Sequence, residues 1–517
     1  TFKNICQIIK IIYQIFWENL PENRLTAAIF FFGILDKYAA VCYFTISIIF
    51  YSEEIYTMRY ENLRRHASLF SEYTELRVQE NTATSVASIN GDIVQNTQTK
   101  NAGVSARAFK DGVWGFASSP EQNDEAISAS VKRATENARF LAKKAGTNQK
   151  ELPAFTGQGA HGKFEPSKDA DPKEMIAFVK DLEAYTAKKY PELQSRVFRI
   201  STNGTERSIL TSDKADAYSF VPRANLMMNF ELLADGEAID LYNVFGGLGQ
   251  FRNLFDKPSA YYEKIDETVE NLKQKAAGVY AKPGVHDVVL GPDLAGILAH
   301  EAIGHTTESD FVMSGSVAAD CLHQQIATPL VTLVDFAYEY NGTLCPVPIW
   351  IDDEGVAAQD AVIIKDGILN SYMHNKQSAD IFNVNPTGNA RANEFYDEPL
   401  VRMRNTAILP GKDKLSDMIA SIEDGYYFVR SSNGQADATS EFMFGVVLGY
   451  EIKNGKLGKA VRDCTIAGVA FDMLKTVSMV SDDMSWSNAG WCGKKQLINV
   501  GMGGPAIKCK IGVGGRN

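Results

Sequence analysis

Leu298-Ala-His-Glu-Ala-Ile-Gly-His-Thr-Thr-Glu-Ser-Asp310 is the stretch whose reading decides how the second half of this chain folds. Upstream of it, Asp293 stands where it can cap a helix whose apolar stripe is Leu294, Ile297, Leu298 and Ala302. At about 100° per residue Glu301 projects onto the same stripe, where a carboxylate is costly unless something compensates it. His300 and His305 flank it. In a chain with seven histidines, a His-Glu-x-x-x-His run arises by chance at a level of about one per cent, so it points to a metal site with its own general base. The familiar zinc-protease motif sets its histidines four apart on one helix face. Here they are five apart, roughly 140° round an ideal helix. They can share a metal only if the helix ends or bulges before His305, and Gly304 stands where it could do so.

Two histidines and an open water position leave one protein ligand to find. Of the remaining histidines, His66, His161, His286, His323 and His374, none is singled out by its neighbours, and His323 is nearest in sequence. Cys321, Cys345 and Cys464 lie among apolar residues and read as packing. Cys509 falls in a strand-like alternation. Cys492 differs, because Gly490-Trp-Cys-Gly-Lys-Lys495 is a glycine-flanked turn beside two lysines, a setting that favours the thiolate.

Length and composition bound the rest. At 517 residues two domains are expected. A net charge of -11, with no basic patch in the sequence, argues against a nucleic-acid partner. Seven scattered cysteines do not read as a disulfide framework and fit a reducing, cytoplasmic compartment. Residues 1–57 are a different kind of sequence. Leu25–Tyr51 is apolar enough to raise a membrane span, but Asp36 and Lys37 in its middle each cost about 2.5–3.5 kcal/mol. The abrupt start of ordinary domain sequence after Met58 favours translated upstream sequence, outside the natural mature protein, over a membrane anchor or a packed tail. No membrane partner is expected unless that extension is real.

From Met58 to Pro283 the pattern is α+β, with helices against a mostly antiparallel sheet. A short helix is predicted over Tyr60–Tyr73. Strands are predicted over Glu75–Gln79, Thr84–Ile89, Ile93–Thr99, Val104–Phe109 and Val113–Ala117, with Gly91, Gly103 and Gly112 as turns. Helices are predicted over Asn123–Lys144, Asp171–Tyr190 and about Ala260–Ala276. Asn203-Gly204 reads as a hairpin turn between further strands, and Asp213 and Asp216 as solvated acids. Pro283-Gly284 marks a boundary, giving an N-terminal domain over 58–283 and a β-rich catalytic domain carrying the metal-site helix over 284–517. In the latter, Asp366-Gly367 and Asn454-Gly455 read as hairpin turns in a large curved antiparallel sheet. Arg391 and Arg402 read first as structural ion pairs. The loop Asn385–Asn389 either caps a turn or lines a substrate path.

The ordered run of motifs resembles the TldD/PmbA family of zinc peptidases, on its TldD-like, metal-bearing branch. The resemblance covers the chain from Met58 onward and is strongest after His300. It rests on His300-Glu-Ala-Ile-Gly-His with Glu308 and Asp310, Ile351-Asp-Asp-Glu-Gly, Asp366-Gly-Ile-Leu, Asn385-Pro-Thr-Gly-Asn, Met403-Arg-Asn-Thr, Leu409-Pro-Gly, Glu451-Ile-Lys-Asn-Gly-Lys, Cys492-Gly-Lys and the closing glycine-rich strand. It implies His300, His305 and Cys492 as zinc ligands and Glu301 as the catalytic glutamate. It implies a peptide or unfolded-protein substrate, and a dimer with a related metal-free subunit or with a second copy. The two histidines are then read as lying on either side of a helix end. Thr306-Thr307 departs from the family's glycine-led pair. The alternative reading is a non-catalytic peptide-binding or assembly subunit of such a complex, against which the retained ligands count.

Overall fold

Two long strands, Tyr73–Ile89 and Asp92–Lys110, each with a continuous run of buried residues, start the fold of the computed structural model, which describes residues 63–162, 164 and 171–515. The expectations for residues 1–57 and for the start of the first helix lie outside the described residues; of that helix, a 3-10 turn at Arg65–Leu69 is seen. The two strands belong to a seven-stranded sheet. Its order is Val113–Ser119, Asp92–Lys110, Tyr73–Ile89, Ser195–Thr211 and Asp216–Ala234, with Glu237–Leu248 and Gln158–His161 both paired to the last of these. Helix Asp124–Ala145 packs Ile127, Val131, Ala134 and Ala138 onto Leu76, Val104, Ala106 and Ala108. Helices Pro172–Lys189 and Tyr262–Ala276 cover Phe198, Ile200, Leu226, Met228 and Phe230. The helix starts follow sequence chemistry, since the side chains of Asn123 and Asp171 accept first-turn N–H groups as N-caps.

The predicted elements are present, but several predicted breaks are not. Gly103 and Gly204 lie inside continuous strands. Gly103 has a packing reason: a Cβ there would sit 2.4 Å from the ring of Phe395. The true turn after Ser195–Thr211 is Ser212–Ala215, where Asp213 is not simply solvated but accepts a 2.7 Å hydrogen bond from buried Lys376. The strand Glu237–Leu248 was not foreseen.

Residues from Gly284 onward build two further large sheets, besides two short two-stranded ones, rather than one curved antiparallel sheet. The six-stranded sheet runs Ile368–Leu369, Ala361–Lys365, Leu333–Phe336, Asn405–Ile408, Gln496–Gly504 and Ser485–Lys494. In the other, Asp424–Ala436, Gly284–Leu290, Ile507–Gly514, Cys464–Val469 and Glu441–Lys453 pair in succession, and the last returns to the first, closing a ring. Two pairings are parallel, between Asp424–Ala436 and Gly284–Leu290 and between Asn405–Ile408 and Gln496–Gly504. Asp366-Gly367 and Asn454-Gly455 are turns with positive φ, as expected. Helix Pro292–Leu298 runs through the main core of this half with Leu294, Ala295, Ile297 and Leu298 buried. Leu294, Ile297 and Leu298 each contribute roughly 1.5–3 kcal/mol, which fixes the helix against the sheets. Its N-cap is Gly291 and not Asp293, whose carboxylate instead accepts from the N–H and hydroxyl of Ser431.

Buried charge ties these sheets to the first. Arg107 bridges Glu75 and Glu354, and Arg77 faces Asp353 at 3.3 Å. Arg77 also donates through Nη2 to the carbonyls of Glu394 and Asp397, which joins the first sheet to the 394–397 segment.

Candidate metal centre

Beyond Leu298 the helix does not end. It widens into a π-helix over Ala299–Gly304 and then tightens into a 3-10 turn over His305–Thr307. The His305 N–H donates to the carbonyl of His300, a bond spanning five residues. A five-residue spacing that would splay two imidazoles on an α-helix therefore brings them together on this one, edge to face, with ring centroids 5.2 Å apart and planes 77° to each other. Two features permit the wide turn. Gly304 lies against Met403, whose Sδ would be 2.0 Å from any added Cβ. The hydroxyls of Thr306 and Thr307 donate to the carbonyls of Ile303 and Gly304, which satisfies acceptors at the irregular end. The threonine pair thus closes the turn after His305 and leaves the ligand positions intact.

Cys492 arrives from the edge strand Ser485–Lys494, its Sγ 3.3 Å from His305 Nε2. One ligand atom from each of His300, His305 and Cys492 lies within 4.8 Å of the others. Among the described residues this is the group so arranged, and His66, His161, His286, His323 and His374 are not in it. His300 is fully buried, yet neither of its ring nitrogens has a hydrogen-bond partner. An imidazole stripped of water and left unbonded is costly, and a metal ion held between His300, His305 and Cys492 would remove that cost. Burial alone would push the Cys492 thiol up, but the facing imidazoles of His300 and His305 bring it down to about 4, so it stands as a thiolate.

The surroundings hold these groups in place. Glu308, fully buried, accepts from His305 Nδ1 at 2.8 Å, which turns Nε2 toward the shared point. Burial opposes the charge on Glu308, but His305 and Lys494 outweigh it and hold the carboxyl down at about 2. Burial likewise opposes charge on His305, and the Glu308 and Cys492 charges outweigh it, lifting the imidazole to about 10 in the metal-free state. Lys494 donates to Glu308 at 3.1 Å and to Asp310 at 2.7 Å, which ties the Cys492 hairpin to the helix. Arg402 grips the same hairpin from behind, donating to the carbonyls of Cys492, Lys494 and Gln496. Among the described residues Arg402 and Arg391 are thus not in ion pairs, contrary to the expectation; both donate to backbone carbonyls. Asn389, at the end of the Asn385–Asn389 loop, is fully buried between Asp335 and the Arg402 carbonyl. Sequence reasoning gave Glu308 no role beyond its place in the motif, read Lys494 only as a charge near Cys492, and read Arg402 first as a structural ion pair. A glutamate one turn beyond the second histidine was the available signal for the first.

Glu301 leaves the triad and faces a cleft. Its Oε2 lies 3.6 Å from His305 Nε2 and its side chain is 17% exposed. The cleft has a volume of about 730 Å³ and is walled by Tyr242–Gly246 on one side and Ser485–Trp491 on the other. Each wall is a sheet edge: Glu237–Leu248 pairs only with Asp216–Ala234, and Ser485–Lys494 only with Gln496–Gly504, among the described residues.

Comparison with known proteins bears on this geometry. The PmbA/TldA metallopeptidase C-terminal domain matches residues 283–515, and domain 1 of the same family matches residues 74–138. A metalloprotease TldD homolog of Buchnera aphidicola (from Acyrthosiphon pisum) is 31% identical over 463 residues, covering 86% of this chain and 93% of that protein. The chain belongs to the PmbA/TldD metallopeptidase family. Another metalloprotease TldD homolog, from the Buchnera of Schizaphis graminum, is 40% identical over 242 residues, and there the match spans about half of each protein, 46% of this chain and 49% of the other. Among solved structures, TldE from Thermococcus kodakarensis shares the fold, with a TM-score of 0.70 at 18% identity over 88% of this chain and 99% of that one. The mixed helix-and-sheet architecture read from the sequence is therefore that of the family. No helix among the described residues is long and apolar enough to cross a membrane.

Proposed function

We propose that this chain is a zinc-dependent peptidase that hydrolyses unstructured peptides or unfolded polypeptides, with His300, His305 and Cys492 as metal ligands and Glu301 as general base. The observation that carries the proposal is the position of Glu301, beside the histidine–thiolate group and at the wall of a cleft between two free strand edges. Two imidazoles and a thiolate suit zinc and leave a fourth position open, as catalytic sites require. A bound zinc ion supplies a water of lowered pKa and polarises a scissile carbonyl.

The chain's own residues do the remaining work. An extended peptide adds to the exposed edge of Ser485–Lys494, where main-chain hydrogen bonds give affinity with little demand on sequence. The Glu301 carboxylate accepts the proton of the attacking water and delivers it to the leaving amine. Glu308 keeps His305 in the tautomer whose Nε2 faces the site, and Arg402 and Lys494 hold the Cys492 hairpin against it.

The proposal extends to the setting of the enzyme. Residues 58–283 act as one domain that supplies a cleft wall, and residues 284–517 as the catalytic one. The partner is a related metal-free subunit or a second copy, a reading that the shared fold with TldE supports. The compartment is the cytoplasm, in keeping with five unpaired cysteines among the described residues. Zinc analysis of the purified protein, followed by digestion of an unfolded polypeptide with and without a chelator, tests the activity. Cleavage that is lost with the chelator and restored by zinc is expected. A zinc-loaded protein that binds the polypeptide but leaves it whole would favour the assembly-subunit reading.

A further inference from the structure

The peptide cleft continues into a second, smaller cavity. Along strand Asp216–Ala234 alternate residues face one side of the sheet. On that side Asn225 lines the cleft beside Glu301, while Arg223, Val221 and Ser219 line a neighbouring pocket. Two strand residues are roughly 6.5 Å, so the two cavities are adjacent steps along one wall. The opposite wall is continuous too. Trp491 lines the cleft, and Asn499, its register partner on the next strand, lines the pocket.

The smaller cavity has a volume of about 40 Å³, room for roughly three water-sized positions or one carboxylate group. It is lined by Arg207, Arg223 and Arg391 and by no acidic side chain among the described residues. Arg391 is 3% exposed and spends its terminal nitrogens on the carbonyls of Met403 and Asn499. Its Nε has no partner, and no carboxylate pairs with it among the described residues. Arg207 must share Asp353 with Arg77, at 3.5 Å and 3.3 Å, and its own Nε is likewise unbonded. Positive charge here therefore exceeds the buried negative charge that could balance it, which is an expensive arrangement. Burial, and then the charges of Arg207 and Arg402, hold the Arg391 guanidinium down at about 9. An anion entering the pocket would relieve both strains.

We infer that this arginine pocket is an anionic subsite at the end of the peptide path, where Arg391 and Arg207 receive a carboxylate of the bound substrate. The inference rests on the peptide-binding reading of the cleft. The carboxylate comes from a free peptide C-terminus or from an aspartate or glutamate side chain, and the chemistry of recognition is the same for both. The guanidinium fork matches either group in two-point fashion. Because the whole chain carries a net charge of -11, the general field repels such ligands, and any preference for them reports a local site.

Binding of short fluorescent peptides to zinc-loaded Glu301→Gln protein tests this without interference from cleavage. One arm compares a free C-terminus with its amide. The other compares Glu with Gln at each position of an amidated peptide. In at least one arm the carboxylate form is expected to bind about tenfold more tightly than the neutral one. Arg391→Met should abolish that difference, and Arg207→Gln, at a more exposed position, should reduce it if the first variant folds poorly. Whichever arm shows the preference names the source of the carboxylate. Peptides that all bind, with equal affinity for carboxylate and amide forms in both arms, would overturn the subsite and leave the cleft standing. Failure of every peptide to bind would overturn the peptide reading and the subsite with it.

Discussion

The backbone N–H of His305 donates to the carbonyl of His300. That one bond belongs to the wide turn that brings two imidazoles at a spacing unsuited to a regular helix into edge-to-face contact. Glu301, the next residue on the turn, lies beside the pair, 3.6 Å from His305 Nε2, and faces the cleft.

The wide turn depends on the absence of a side chain at Gly304, since an added Cβ would lie 2.0 Å from Met403 Sδ. Met403 is fully buried and has little room to give way. Gly304→Ala is expected to cost about 1–3 kcal/mol in urea unfolding, as overpacking does, and to weaken metal binding as the turn shifts. Wild-type stability together with wild-type metal affinity would show that the turn tolerates a methyl group.

Glu308 acts on the site through His305 and, by way of Lys494, through the Cys492 hairpin. Glu308→Gln keeps the shape but removes the charge that makes the imidazole basic and fixes its orientation. Metal affinity, measured by competition with a chromophoric chelator, should fall roughly 10–100-fold. An unchanged affinity would mean that the hairpin alone sets the ligand geometry.

His374 gives a pH signature distinct from the metal centre. Burial pulls its imidazole from 6.5 down to about 4 in the fold. Between these values the unfolded chain takes up a proton that the native state refuses. Stability from this group is therefore complete above pH 6.5 and is lost as pH falls toward 4, by up to roughly 3 kcal/mol. Urea unfolding of the wild type and of His374→Gln at pH 7.0 and pH 4.5 checks it, and the variant should lose less stability over that interval. Equal losses in both proteins would assign the pH effect elsewhere.

Much of this was legible in the sequence where local patterns suffice. Ile127, Val131, Ala134 and Ala138 gave a helix because their spacing matches its period, and Asp366-Gly367 gave a turn because its φ values demand those residues. The need for a bulge before His305 followed from angular arithmetic. Its form did not, because widening to a π-turn depends on how Met403 packs on Gly304 and on which carbonyls Thr306 and Thr307 reach. Gly103 and Gly204 misled for a related reason, since Gly103 makes room for the ring of Phe395 from a distant segment, and Gly204 lies near the ring of Phe220. Arg402 was misread as an ion-pair partner, and Lys494 read only as a charge near Cys492, because their contacts are with the carbonyls of a hairpin about ninety residues away and with carboxylates of another element. Cys492 was singled out by its glycine-flanked, lysine-rich turn, and the family resemblance chose it as the ligand.

The role of Glu301 is tested most directly by the rate at which its zinc-loaded Glu301→Gln variant cleaves an unfolded polypeptide. The variant should hold as much zinc as the wild type, because Glu301 is outside the ligand group. Its cleavage rate should fall by about 10²–10⁴-fold, the usual contribution of a general base. A variant that binds zinc normally and cleaves at the wild-type rate would contradict the assignment of Glu301 as the base of a metal-dependent peptidase.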